Sequence, residues 1–253
     1  MKQNNWFDPF FILENLSPEE KLIQKNVRDF CNSVLRPIVI AHNRDHKFDR
    51  HLYREFGRLG LLGSTIKNYG GAGASSKAYG LIAYEIEKID SSYRSSISVQ
   101  SSLVIHPIDS FGSDEQKARY LPELISGIKI GCFGLTESEA GSDPSSMKTT
   151  YKKTQNGYIL NGSKNWITNA PIADVFIIWA LNEKLDTSSI KGFILDKDTK
   201  GLVTSPIENK TSLKISPTGQ IIMQDVLINK SNCLENTNGW SSVFSCLIKR
   251  VLE

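Results

Sequence analysis

The texture of this chain changes near residue 130, and that change constrains its fold more than any other feature. Residues 1–125 read as helical. Ser17-Pro18-Glu19-Glu20 is a capping box with proline at the first helical position. Ile23, Val27, Phe30 and Val34 then recur at helical spacing and make one apolar stripe. Leu52 to Leu59 reads as a shorter helix ending near Gly60, followed by a glycine-rich loop at Asn68-Tyr69-Gly70-Gly71 and Gly73. Ser76 to Ile89 reads as helical again. Ser113-Asp114-Glu115-Gln116 is a second capping box, opening a helix towards Leu124.

From about residue 130 short strand signals take over. Asn156-Gly157 and Asn161-Gly162 read as hairpin-type turns flanking runs such as Tyr158-Ile159-Leu160. Val175-Phe176-Ile177-Ile178-Trp179 is strongly apolar and rich in β-branched residues. Gly192-Phe193-Ile194-Leu195 and Ile221-Ile222-Met223 are further strand candidates. Several short strands at close spacing predict a small β-barrel or sandwich. Gly239 to Leu252 opens another helix. The expected fold class is α+β: an all-α domain over 1–130, a β-barrel domain over 131–236 and a helical stub over 237–253. Neither domain is large enough to enclose a cofactor alone, so the two are expected to pack together.

Composition narrows the functional classes. The 253 residues, 40% hydrophobic and 23% charged, suffice for a substantial core in one or two domains. Thirty basic against 27 acidic residues leave a formal charge of +3, and no basic tract interleaved with aromatics points to nucleic acid. Cys31, Cys132, Cys233 and Cys246 are scattered, the pattern of reduced thiols rather than of a disulfide framework or zinc site. No apolar run approaches the roughly 20 residues that span a bilayer. The start lacks an apolar signal core, and residues 1–20 are acidic rather than Arg-rich. The expected location is the bacterial cytoplasm, or the mitochondrial matrix in a eukaryote, although no presequence is seen. His42 and His46 are four apart with Asp45 and Asp49 nearby, a spacing that can bind a metal on a helix. The segment is very polar and reads as a solvated helix end, so no metal is expected.

Two segments stand out chemically. Residues 132–143 read Cys-Phe-Gly-Leu-Thr-Glu-Ser-Glu-Ala-Gly-Ser-Asp, an apolar run ending in small and hydroxyl residues. Gly141 lets backbone approach a phosphate, while Thr136 and Ser142 offer hydroxyls and amides. Residues 161–168 read Asn-Gly-Ser-Lys-Asn-Trp-Ile-Thr. On a strand Trp166 and Thr168 share a face, so an indole could stack on a flat ring while a hydroxyl bonds its edge. On residue chemistry alone both segments also suit an ordinary strand and polar loop.

Together these segments resemble the flavin-binding segments of the acyl-CoA dehydrogenase family, and the chain is identified as a member of it, closest to the glutaryl-CoA dehydrogenase branch. The resemblance extends from Trp6 to about Leu247. It is carried also by Leu61–Lys67, Tyr79–Ala83, Asp90–Ser95, Ser98–Leu103 and Asn161–Asp174. It implies FAD as cofactor, with Phe133, Gly134, Leu135, Thr136, Gly141 and Ser142 lining the flavin and its pyrophosphate. Trp166, Ile167 and Thr168 would lie beside the isoalloxazine, with Thr168 near N5. Ser142 also matches an acyl-CoA contact. Arg94 matches the arginine that receives the distal carboxylate of glutaryl-CoA, with Glu87, Ser95 and Ser98 as neighbours. Positions 87, 94 and 98 would share a face on a continuous helix, and an arginine fork suits both oxygens of a carboxylate.

The implied reaction is α,β-dehydrogenation and decarboxylation of glutaryl-CoA to crotonyl-CoA, a step of lysine and tryptophan degradation. An electron-transfer flavoprotein is the implied acceptor and a homotetramer the implied assembly. The family's glutamate base belongs to a C-terminal four-helix domain that this chain is expected to lack. Glu253 does not match that base, so no catalytic residue is assigned. Ile248 to Glu253 depart from the Asn-x-Ala-Arg-aromatic-Gly stretch expected there, and a one-nucleotide frameshift would restore it; an unshifted genomic frame would remove that idea. Two alternatives stand beside this reading: a non-catalytic remnant or flavin- or CoA-binding fragment, and a dehydrogenase of another short-chain acyl-CoA.

Overall fold

The computed structural model describes Asp8 and residues 12–252. Trp6, where the resemblance begins, and Glu253 lie outside the described residues. Among the described residues, eight α-helices and seven strands form two layers. The helices in chain order are α1 (Pro18–Phe30), α2 (Arg36–Asp45), α3 (Leu52–Arg58), α4 (Ser76–Glu87), α5 (Ser91–Ser98), α6 (His106–Phe111) and α7 (Asp114–Ile125). The α1 capping box is formed as expected: the Glu20 amide donates to Ser17 Oγ at 3.1 Å and the Ser17 amide to Glu20 Oε2 at 2.9 Å. The second box caps α7 through Ser113 and Gln116.

α7 carries Pro122 within its last turn, and two helix junctions run on through a proline by way of a π turn. A π turn, Cys31–Leu35, joins α1 to α2 just before Pro37, and another, Val99–Ile105, joins α5 to α6 just before Pro107. The Arg36 and His106 amides bond five residues back, to the carbonyls of Cys31 and Ser101. A proline ring collides with the carbonyl four residues back and has no amide to give it. The extra residue in the turn moves that carbonyl aside. All seven residues of Val99–Ile105 are buried.

The strands are β1 (Gly131–Gly134), β2 (Thr150–Lys153), β3 (Gly157–Thr168), β4 (Val175–Asn182), β5 (Lys191–Asp196), β6 (Leu202–Pro206) and β7 (Thr218–Asn229). β4 pairs with β5 along one edge, and with β1 and then β2 along the other; β2, β3, β7 and β6 follow in order. The sheet curls into an open half-barrel ending at β5 and β6, the barrel-like domain expected from the strand spacing. β4 is buried on both faces, so its apolar run is continuous rather than alternating. Val175, Ile177, Trp179 and Leu181 pack on the helices, while Phe176, Ile178 and Ala180 fill the half-barrel. Burying each large side chain contributes roughly 1.5–3 kcal/mol. Helix α8 (Gly239–Leu252) follows the sheet and packs on the Val99–Ile105 turn.

Asn161-Gly162, expected as a turn, lies inside β3. The β3–β7 register shifts between Leu160 and Gly162, which marks a β-bulge rather than a chain reversal. Gly162 sits at φ +142°, and a Cβ there would come within 2.5 Å of Thr149 Oγ1. The glycine answers a bulge and a close approach, the same local demands that a turn makes.

One buried residue ties the layers together. Gln100, in the second π turn, donates from Nε2 to the Leu124 and Lys129 carbonyls at 2.9 Å each. Its Oε1 accepts the Gly131 amide at 2.8 Å. The π turn, the end of α7 and the first strand are thus held by one carboxamide. Arg50 reaches across to Asp174 and the Ile172 carbonyl, and Arg119 pairs with Asp196 at 2.6 Å.

Candidate functional site

The two chemically marked segments meet in the structure. β1 carries Phe133 and Gly134 into the loop that holds Leu135, Thr136, Gly141 and Ser142. The Asn165 amide donates to the Thr136 carbonyl at 2.9 Å. Lys164, fully buried, donates to the Leu135 carbonyl at 3.1 Å and to Glu137 Oε1 at 2.8 Å. The Lys148 and Thr149 amides also donate to the Glu137 carboxylate, at 2.7 and 3.0 Å. Burial pushes the Glu137 carboxyl up, but the Lys164 ammonium and these donors outweigh it and hold it below the usual carboxylate range. Burial pushes Lys164 down to about 8 against the pull of Glu137.

This arrangement leaves the tip of the loop open. Gly141 and Ser142 are exposed, and their amides have no partner among the described residues. A Cβ on Gly141 would meet only Thr136 Cγ2, at 4.0 Å. Phe133 and Leu135 are buried, and Phe133 packs near Trp179 with ring centroids 6.2 Å apart.

Trp166 departs from simple strand alternation. The register shifts again between Lys164 and Ile167, and Trp166 takes a left-handed φ of +60°. Lys164 and Ile167, three apart, are therefore both buried, whereas Trp166 is 59% exposed. Its amide is capped by Asn165 Oδ1 at 3.0 Å. Thr168 is half-buried and pairs in register with Thr218. A bulge, not a regular strand, presents the indole.

Glu87 and Arg94 are adjacent, but not on one continuous helix. α4 ends at Glu87, and α5 begins at Ser91 under the Asp90 cap. The Arg94 Nε donates to Glu87 Oε2 at 2.6 Å across that break, and Ser91 Oγ donates to the other Glu87 oxygen. Burial raises the Glu87 carboxyl, yet Ser91 and Arg94 together bring it below its ordinary value. Both residues line a shallow depression of about 380 Å³ with Gly80, Ala83, Tyr84 and Lys88. Ser95 and Ser98 are buried on α5. A larger concavity, of about 770 Å³, lies elsewhere, between the end of α2 and the 206–218 loop.

Sequence reasoning missed Lys164 as an organiser, because a lone lysine in a strand pattern reads as solvent-facing. It also missed Arg250 of α8, whose Nη2 lies 3.5 Å from Ser95 Oγ. His42 bonds Tyr93 at 3.0 Å, and His46 is a left-handed helix cap; among the described residues no acid, histidine and cysteine cluster could hold a metal. All four cysteines are buried and free. No helix is long and apolar enough to cross a membrane among the described residues.

A helical layer backing a curled half-barrel, with an exposed indole beside a glycine and hydroxyl loop, defines a class of two-domain α+β proteins. The profile of the acyl-CoA dehydrogenase N-terminal domain matches residues 17–128, and that of the acyl-CoA dehydrogenase middle domain matches residues 132–226. The chain belongs to the acyl-CoA dehydrogenase family. An acyl-CoA dehydrogenase of Bacillus subtilis (strain 168) is 36% identical over 222 residues, covering 87% of this chain and 59% of the relative. A glutaryl-CoA dehydrogenase from Mycobacterium smegmatis, solved in complex with FADH2, superimposes with a TM-score of 0.92 at 38% identity, covering 95% of this chain and 61% of that one. Butyryl-CoA dehydrogenase from Megasphaera elsdenii gives a TM-score of 0.87 at 32% identity, over 93% and 63%. The chain spans about three fifths of the length of these relatives.

Proposed function

We propose that this chain is the flavin- and acyl-CoA-binding part of an FAD-dependent acyl-CoA dehydrogenase acting on a short dicarboxylic acyl-CoA, glutaryl-CoA. The observation that carries the flavin reading is the junction of the two segments through Lys164 and Asn165. It leaves the Gly141 and Ser142 amides and the Trp166 indole without protein partners, side by side in sequence with the anchored residues. Open amides suit a pyrophosphate and an exposed indole suits a flat ring, so the residues present fit FAD. Phe133, Gly134, Leu135, Thr136, Gly141, Ser142, Trp166, Ile167 and Thr168 would hold it. When bound, FAD supplies a two-electron acceptor.

Arg94 supports the dicarboxylic substrate. Its Nε is engaged by Glu87, which leaves both terminal nitrogens without a partner among the described residues. A carboxylate can take that fork, whereas a simple acyl tail cannot. Ser95, Ser98 and Ser142 complete the substrate contacts in this reading. An electron-transfer flavoprotein as acceptor and a homotetramer belong to the same proposal. The exposed Phe244 and Ile248 of α8 give apolar surface that further protein would cover.

A second reading, a flavin and CoA binder without turnover, is favoured by one observation. Glu137, the buried carboxylate of the flavin segment, is held by Lys164 and two amides and has no freedom to act as a base. The visible spectrum of the FAD-reconstituted chain, before and after anaerobic glutaryl-CoA, separates the readings. Retained flavin that bleaches supports the dehydrogenase; retained flavin that does not bleach supports the binder. A chain that retains no flavin would sink both.

A further inference from the structure

Arg250 is placed where neither helix propensity nor surface charge accounts for it. It lies in the last turn of α8, where any cation suits the helix dipole. The dipole, however, would be served equally by a side chain in solvent. Arg250 instead turns in against α5, and its Nη2 reaches Ser95 Oγ at 3.5 Å. No carboxylate lies within 4.0 Å of its guanidinium among the described residues. The neighbouring charge is a second guanidinium, Arg94. Burial first, and Arg94 next, lower the Arg250 pKa from its ordinary value.

The charges gathered around the start of α5 do not cancel. Arg94 and Arg250 contribute two positive charges, and Glu87, bound to Arg94 at 2.6 Å, contributes one negative. Nearby Lys88 is drawn to Glu85 at 3.8 Å and rests on the Tyr84 ring. Two like charges partly removed from water, with one counter-charge, are costly unless an anion joins them. The site has the parts to receive one. Glu87 fixes Arg94 through Nε and leaves its terminal nitrogens without a partner among the described residues, while Ser95 anchors Arg250 through a single nitrogen.

We propose that Arg94 and Arg250 together form a two-guanidinium receptor for a carboxylate, with Glu87 orienting the first and Ser95 the second. This rests on the reading of Arg94 as the contact for the distal carboxylate of the acyl-CoA, and adds to it a second, specificity-determining arginine from α8. Two forks share the two carboxylate oxygens, so an acyl tail ending in a methyl gains nothing from either.

The test uses the full chain with two probes. Calorimetric titration compares glutaryl-CoA with butyryl-CoA for the natural protein and for Arg94→Gln, Arg250→Gln and Arg250→Lys. The proposal expects Arg250→Gln to weaken glutaryl-CoA about tenfold more than butyryl-CoA, with Arg250→Lys recovering part of the loss. In parallel, glutarate alone is titrated while the arginine Nε–H signals are followed by NMR, with inorganic phosphate as the competing anion. Discrimination lost in Arg94→Gln but kept in Arg250→Gln would overturn the two-arginine site and leave the proposed function standing. If neither CoA ester binds but glutarate shifts both arginine signals, the receptor stands and the proposed function falls. Phosphate shifting them as strongly as glutarate, or neither anion shifting them, would overturn the receptor.

Discussion

Lys164 Nζ lies 2.8 Å from Glu137 Oε1, with the lysine wholly buried and the glutamate nearly so. The pair joins a strand to the loop after β1, and each member has further partners. Removing one charge strands the other in the interior, which typically costs about 3–5 kcal/mol. Lys164→Met should destabilise the chain by that amount in urea denaturation and weaken FAD binding. The double variant Lys164→Met/Glu137→Leu should recover much of the stability, because no lone charge remains. A single variant within about 1 kcal/mol of the natural protein would show that the pair does not hold the loop.

Gln100→Leu should be costly for a different reason. It keeps the volume but leaves the Gly131 amide and the Leu124 and Lys129 carbonyls without their shared partner. Each stranded group costs about 1–3 kcal/mol. Denaturation followed by separate probes of helix and sheet should show both layers loosening together. Loss confined to the helices would mean that Gln100 does not couple them.

Trp166→Ala should separate binding from folding. The indole is 59% exposed, so the unfolding midpoint should stay within about 0.5 kcal/mol of natural. FAD affinity, read by flavin fluorescence on titration, should fall. An unchanged affinity would remove Trp166 from the flavin site.

Acid sensitivity should trace to His106. Burial, and then Lys249, push its pKa from 6.5 down to about 4, so the fold holds it neutral. The unfolded chain binds that proton at higher pH, so stability is complete above about 6.5 and is lost as pH falls towards about 4. Below that value the loss from this group is at its limit. His106→Gln should flatten the stability profile in that window. A profile of unchanged slope would place the acid response in the carboxylates, among them Glu87, whose contribution is lost only below its ordinary value.

Much of the architecture was legible because its signals are local. The Ser17 and Ser113 capping boxes and the β4 run state their own structure in a few residues. The misread positions are those where two physical demands share one signature. Asn161-Gly162 has turn chemistry but serves a bulge against Thr149. Glu87 and Arg94 have helical spacing but meet across a helix break capped by Asp90. The helix through 91–111 fell within the general helical reading of 1–125 but without bounds of its own, because serines and a proline mask its period, while its stability comes from burial of the π turn against β1 and α8. Trp166 stood out as part of a motif, but its left-handed backbone and exposure were not legible, since no spacing rule encodes a bulge. The contact between Arg250 and Ser95 was invisible because the two lie 155 positions apart.

The two π turns carry a consequence for chain length. Each inserts one residue into an otherwise regular helix and so rotates everything beyond it by about 100°. A single-residue deletion within 31–35 or 99–105 would leave α2 or α6 with an ordinary hydrogen-bond ladder and every side chain aimed a quarter-turn off. The proline beyond would then meet the carbonyl that the wide turn now holds aside. At these two places the direction of every later side chain depends on the count of residues before it, not only on their identity.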